Sequence, residues 1–143
     1  YTSWIWNKVA SRYLASEYKI ARKIKIAGNE LVLIRDAGKE NIEIPIIGYL
    51  MEINNKKLEE IYENVLEEEG ILTNDFIVKQ MPEISSEGGK RKLFLQVKDL
   101  KYNYENDEKN KGKYKANLSF FLSKGAYATM VIKRLFDCVT IKE

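Results

Sequence analysis

Ser123-Lys124-Gly125-Ala126-Tyr127-Ala128-Thr129-Met130 is the stretch on which the reading of this chain turns. Ahead of it, residues 113–122 set Tyr114, Ala116, Leu118, Phe120 and Leu122 at alternate positions, the period of a strand with one apolar face. Behind it, Ala128, Val131, Ile132, Leu135 and Phe136 recur at the three- and four-residue spacing of a buried helix stripe, which predicts a helix over 126–137. Gly125 supplies the turn between them. Strand, glycine turn and helix in that order place Tyr127 at the mouth of a helix. An aromatic there either packs on the sheet as part of a helix entry or faces a ligand, and the string alone leaves both open.

Working outward, residues 92–104 alternate as well, with Leu93, Leu95 and Val97 on one face. The charged loop 105–112 joins this run to 113–122, so the pair reads as an antiparallel hairpin with a solvated tip. Lys90, Arg91, Lys92, Lys98 and Lys101 accompany Phe94, Tyr102 and Tyr104 along the first run. Cations take phosphates and aromatic rings stack on bases, so the mixture suits a nucleic-acid surface; it equally suits a charged sheet edge that resists aggregation. Asp99, near the middle of the run and without a second acid at a matching offset, reads as a surface carboxylate and not as a catalytic one.

Toward the N-terminus, Trp6, Val9, Ala10, Tyr13 and Leu14 mark one face of a helix within residues 1–22, with Trp4 off the stripe and expected to pack on an element outside this chain. Short β-type runs follow at 23–26, 31–34 and 42–47, with turns at Gly28-Asn29 and Ala37-Gly38; Pro45 and Gly48 give the last run the character of an edge. Asn54-Asn55 caps a helix over 56–69 whose stripe is Leu58, Ile61, Tyr62, Val65 and Leu66, and Gly70 stops it. Thr73-Asn74-Asp75 predicts one more helical turn before Met81-Pro82, and Ser85-Ser86-Glu87-Gly88-Gly89 reads as a linker or crossing point. The fold class is α/β of the α+β type, a mixed or antiparallel sheet flanked by helices.

Composition narrows the chemistry. The 143 residues are 45% hydrophobic and 31% charged with a net charge of +3, which permits an anionic partner without requiring one. No apolar run approaches the roughly 20 residues of a membrane span, so a soluble, cytoplasmic protein without a membrane partner is expected. There is no histidine and one cysteine, Cys138, which excludes imidazole triads, Cys-rich zinc sites and a disulfide framework within these residues. Cys138 itself reads as a tolerated thiol. The chain opens at Tyr1 inside a helical pattern, and is expected to be the C-terminal part of something longer.

Taken in order, the motifs resemble the TruD family of tRNA pseudouridine synthases. Lys124-Gly125-Ala126-Tyr127-Ala128-Thr129 is similar to that family's Gly-Ser-aromatic-Ala-Thr element, and Thr2-Ser3-Trp4-Ile5-Trp6-Asn7-Lys8 with Ser11-Arg12-Tyr13-Leu14 resembles its aromatic-Asn helix. Ile44-Pro45-Ile46-Ile47-Gly48-Tyr49 resembles its Leu-Pro-Leu-x-Gly-Tyr segment. The run from Ser85 to Arg91, leading into Lys98-Asp99-Leu100, resembles its Ser-Gly-basic-Arg lead to a Lys-Asp-Leu strand. Ser123, Ala126, Val97 and Lys133-Arg134 depart from the family's usual Pro, Ser, Pro and Arg-Glu; Arg134 reverses a charge.

The resemblance implies isomerisation of uridine to pseudouridine in tRNA, at position 13, with no metal or organic cofactor. An Asp attacks the nucleotide, the glycosidic bond breaks, and the freed uracil turns and rejoins through carbon 5. The target must first leave its stack. The family's nucleophile lies in an upstream Gly-x-Lys-Asp-Lys/Arg motif. Asp99 lacks that glycine and the following cation, so no catalytic residue is expected in this chain. The resemblance gives Tyr127 and Gly125 the wall of the uridine pocket, and Lys90, Arg91, Lys98 and Lys133 contacts to the RNA backbone. Residues 1–88 would belong to the family's inserted domain and 89–143 to the last hairpin and helix of its catalytic domain, with the N-terminal remainder of that domain as a partner alongside tRNA. The alternative is a non-catalytic RNA-binding module on the same scaffold.

Overall fold

A computed structural model describes residues 1–26, 28–36, 40–77 and 87–139, apart from the side chains of Ile26, Asn29 and 137–139. Two compact units divide the chain, Tyr1–Phe94 and Leu95–Glu143.

The first unit is built on two helices and short strands. Helix α1 (Thr2–Glu17) buries Ile5, Trp6, Val9, Ala10 and Tyr13. It stops short of the expected residue 22 because Tyr18 turns extended and the next residues pair as strands. Strand β1 (Ile20–Ile26) runs antiparallel to β2 (Asn29–Ile34), with a register shift between Ile20 and Arg22. A buried hydroxyl joins helix to sheet: Ser11 Oγ accepts the N–H of Val32 at 3.4 Å. That amide would otherwise be an orphaned donor on the strand. Trp4 finds its neighbours within the unit, contrary to expectation. Its ring stacks on Tyr1 at 5.6 Å, carries the Lys8 ammonium at 4.9 Å and packs against the core.

Strand β3 (Glu43–Ile46) and helix α2 (Lys56–Glu69) complete this core. Asn55 caps α2, its Oδ1 accepting the Leu58 N–H at 3.0 Å, and Gly70 ends it in the left-handed region at φ 63°. The helix therefore runs where its sequence predicts. Two aromatic side chains reach β3 from the two helices: Trp6 Nε1 donates to the Ile44 carbonyl at 3.1 Å, and Tyr62 Oη donates to the Pro45 carbonyl. Burial holds the Tyr62 phenol far above the usual tyrosine range, so it remains a neutral donor. Lys8–Glu69, Arg12–Glu68 and Lys57–Glu17 pairs link α1 to α2. The Arg12 guanidinium donates to Glu68 and lowers its carboxyl pKa. These are partly exposed pairs and add little stability singly.

Strand β4 (Gly89–Lys92) pairs antiparallel with β3, Ile44 opposite Arg91 and Pro45 opposite Lys90. Pro45 lacks an N–H and is accommodated in this two-stranded pair, in keeping with its edge character. The glycines read as part of a linker are held closely. A Cβ on Gly88, at φ +100°, would lie 2.9 Å from the Ile46 carbonyl oxygen, and the Leu50 N–H donates to the Glu87 carbonyl at 3.2 Å. Ser85-Ser86, Met81-Pro82 and Ala37-Gly38 lie outside the described residues. Thr73–Phe76 forms a single 3₁₀ turn, with the Asp75 carboxylate accepting the Leu72 N–H at 2.7 Å.

The second unit holds β5 (Lys98–Asn106), β6 (Tyr114–Phe121) and helix α3 (Ala128–Val139). The hairpin is antiparallel as expected, but the strand predicted over 92–104 is two. Only Lys92 of that run belongs to β4 in the other unit, 93–97 form no strand, and β5 begins at Lys98; the compact units divide at 94/95. Every residue of β5 is exposed. Of the five positions expected to be buried on α3, Val131 is buried, while Ala128 is exposed and Phe136 is 63% exposed. The amphipathic spacing is present, but among the described residues the unit supplies little surface to cover it. Cys138 has no described side chain. The architecture is α+β, with antiparallel two-stranded sheets where a single small sheet was expected.

Candidate nucleic-acid interface

The candidate residues fall into both units. Lys90 and Arg91 are neighbours on β4 and therefore point to opposite sides of it. Lys90 is exposed. Arg91 is half-buried against α1, its guanidinium carbon 5.1 Å over the Trp6 ring and its Nη2 donating to Ser3 Oγ at 3.5 Å. Its cation is engaged in holding β4 to α1.

In the second unit the register brings three candidates to one end of the hairpin. Lys98 stands opposite Phe121, and the chain leaves β6 there for the turn that carries Gly125 and Tyr127. The turn is closed by the Ala126 N–H donating to the Ser123 carbonyl at 3.1 Å, with Gly125 at φ +86°. A side chain at that φ would be strained, which is the physical reason for a glycine. Tyr127 immediately precedes α3, its carbonyl accepting the Met130 N–H at 3.0 Å, and its side chain is 46% exposed. An aromatic half open to solvent at a helix mouth can wall a pocket. Lys133 is exposed on α3, six residues further on.

Asp99 has a conformation that the sequence reading missed. Lys98 pairs with Phe121 and Lys101 with Ser119, so Asp99 and Leu100 together face Phe120 in a β-bulge. Asp99 takes φ +51°, the one positive φ outside glycine among the described residues. The alternation gave no signal within β5 itself: Leu93, Leu95 and Val97, whose odd positions differ from the even ones of Leu100, Tyr102 and Tyr104, lie ahead of the strand. Asp99→Gly is expected to leave the hairpin as stable or up to about 1 kcal/mol more stable, whereas Asp99→Val costs about 1–2 kcal/mol, because only the former tolerates this φ. Amide hydrogen exchange across 98–106 checks it, and equal protection in the two variants would sink the bulge assignment.

No group of three or more His, Cys, Asp or Glu side chains among the described residues could hold a metal ion. No helix of the described residues is long and apolar enough to cross a membrane.

The chain is thus an α+β protein in which a bulged hairpin, with a lysine at its open end, runs through a glycine turn to a half-exposed tyrosine at the mouth of a helix. It belongs to the TruD family: the family model described as tRNA pseudouridine synthase D (TruD) matches residues 18–135. A relative in Methanosarcina mazei, named tRNA pseudouridine synthase D, is 41% identical over 127 residues, covering 89% of this chain and 28% of its own length. One in Methanocaldococcus jannaschii, named tRNA pseudouridine synthase D 2, is 31% identical over 156 residues, covering 100% of this chain and 36% of its own length. The crystal structure of tRNA pseudouridine synthase D from Methanosarcina mazei superposes with a TM-score of 0.65 at 29% identity, over 93% of this chain and 36% of that one. The chain spans about a quarter to a third of the length of the curated relatives it matches.

Proposed function

We propose that this chain is part of a tRNA pseudouridine synthase that isomerises uridine to pseudouridine, at position 13, in the cytoplasm. The observation that carries the reading is the family match over residues 18–135, which takes in the bulge, the glycine turn and Tyr127. The reaction needs a nucleophilic carboxylate, and in this reading it comes from the N-terminal remainder of the catalytic domain. Asp99 is not that group. It sits in a bulge of an exposed strand and, although Lys98 precedes it, it lacks the glycine and the following cation of the family's motif.

The residues here bind and orient. Flipping a uridine costs a few kcal/mol of lost stacking, and an aromatic ring beside the pocket offsets part of it. Tyr127, presented by the Gly125 turn, is that ring. Lys98, Lys90 and Lys133 meet phosphates, while Arg91 fixes β4 on α1 and so orients Lys90. In this reading the Tyr1–Phe94 unit corresponds to the inserted domain, and the hairpin with α3 to the end of the catalytic domain. An isolated two-stranded hairpin is marginal in water, so the Tyr102 and Tyr104 face of β5, with Tyr102 65% and Tyr104 68% exposed, is covered by the catalytic remainder.

The test compares the enzyme containing this chain with residues 1–143 alone on a tRNA transcript, reading pseudouridine formation and tRNA binding. Conversion by the enzyme and none by the 143 residues is expected. Pseudouridine made by the 143 residues would overturn the placement of the nucleophile. A conversion-free enzyme that still binds tRNA with salt dependence would favour the non-catalytic RNA-binding module.

A further inference from the structure

The tip of the β5–β6 hairpin separates its charges. Its acids are engaged within the loop. Asp107 accepts the backbone N–H groups of Lys109 at 2.9 Å and Asn110 at 3.1 Å, and the Asn110 side-chain amide at 2.7 Å. Those bonds hold the Asp107 carboxyl below its usual range. Lys115 pairs with Glu105 at 3.3 Å and with Glu108 at 2.8 Å. The loop is closed across its base by the Asp107 N–H donating to the Lys113 carbonyl at 2.9 Å, and inside by the Lys113 N–H donating to Asn110 at 3.0 Å. It is an organised turn whose three carboxylates are all engaged, Glu105 and Glu108 by the one ammonium of Lys115 and Asp107 by the loop's own amide N–H groups.

The cations left over point elsewhere. Lys109, Lys111 and Lys113 are all exposed, and their ammonium groups make no hydrogen bond or ion pair with any described residue. They follow one another at every second position through the turn at Gly112, whose φ of +79° lets the chain reverse there. An exposed lysine on a strand edge guards against aggregation, but these lie beyond the last paired residues, Asn106 and Tyr114, where there is no ladder to guard. Clustered, unpaired cations on a rigid turn match a run of backbone phosphates.

We propose that this tip is a phosphate-binding arm for the RNA substrate, with Lys109, Lys111 and Lys113 each meeting the sugar–phosphate backbone. The inference rests on the tRNA reading above and adds a contact surface to it, remote from the Tyr127 turn: the tip closes one end of the hairpin, and Lys98 with the turn lies at the other. Its contribution is to affinity and not to chemistry, because a phosphate contact far from the reacting base binds ground and transition states alike.

The test is tRNA binding by the enzyme as a function of salt, wild type against the triple variant Lys109→Gln, Lys111→Gln, Lys113→Gln. Each phosphate contact contributes about 0.7–0.9 to the slope of log affinity against log salt, so the variant's slope should be shallower by about two to three and its Kd about tenfold higher near 0.1 M salt. At saturating tRNA its turnover should equal that of the wild type. An unchanged slope and Kd would overturn the proposal, as would a wild type that binds no tRNA. The proposed isomerisation is read separately, from pseudouridine in the wild-type reaction, so an inactive enzyme whose binding still depends on these lysines would sink only the catalytic reading.

Discussion

Tyr62→Ala is expected to lower the stability of the Tyr1–Phe94 unit by about 3–5 kcal/mol, the range for removing a buried aromatic ring. Tyr62 is 1% exposed in a core shared by α1, β3 and α2, and its hydroxyl donates to the Pro45 carbonyl. The alanine variant loses the ring's packing and leaves that carbonyl without its donor. Tyr62→Phe separates the two effects, and should cost about 1–2 kcal/mol for the carbonyl alone. Urea unfolding monitored by tryptophan fluorescence measures both, since Trp6 lies in the same core. If the phenylalanine variant were as unstable as the alanine variant, packing would not be what Tyr62 supplies.

Tyr127→Ala in the enzyme is expected to lower kcat/KM for tRNA by about 10–100-fold, the equivalent of about 1–3 kcal/mol of base–aromatic stacking. The loss should fall mainly on kcat. Phosphate contacts carry most of the affinity for tRNA, while a pocket wall acts on the flipped base. Tyr127→Phe keeps the ring and should retain most of the activity. The folded state should be little affected, because the side chain is already 46% exposed at the entry to α3. Wild-type turnover by the alanine variant would return Tyr127 to a packed helix entry.

The local elements were legible wherever a short stretch of chain is enough to define them. Helix α2 carries its cap at Asn55, its stripe at Leu58, Tyr62 and Val65, and its stop at Gly70, all within hydrogen-bonding reach along the chain. The glycine turn before Tyr127 was visible for the same reason. Pairing partners were less accessible. Lys90 and Arg91 read as the start of one long strand, yet their hydrogen bonds go to β3, more than forty residues earlier. Arg91 was expected to face RNA, and its position over Trp6 depends on α1, which lies at the other end of the same unit's sequence. The bulge at Asp99 belongs with them, because one extra residue shows only when the strand is counted against its partner.

Periodicity, caps and the order of motifs were therefore sufficient for the α+β class, the strand–turn–helix junction and the family. They act over a few residues, where the backbone's own geometry decides. The tertiary structure decided which strands pair, which cations are engaged and which stand free. Those outcomes depend on groups distant in sequence meeting in space, as when Tyr62 meets Pro45 or when Lys115 pairs with Glu105 and Glu108 while Lys109, Lys111 and Lys113 face the solvent.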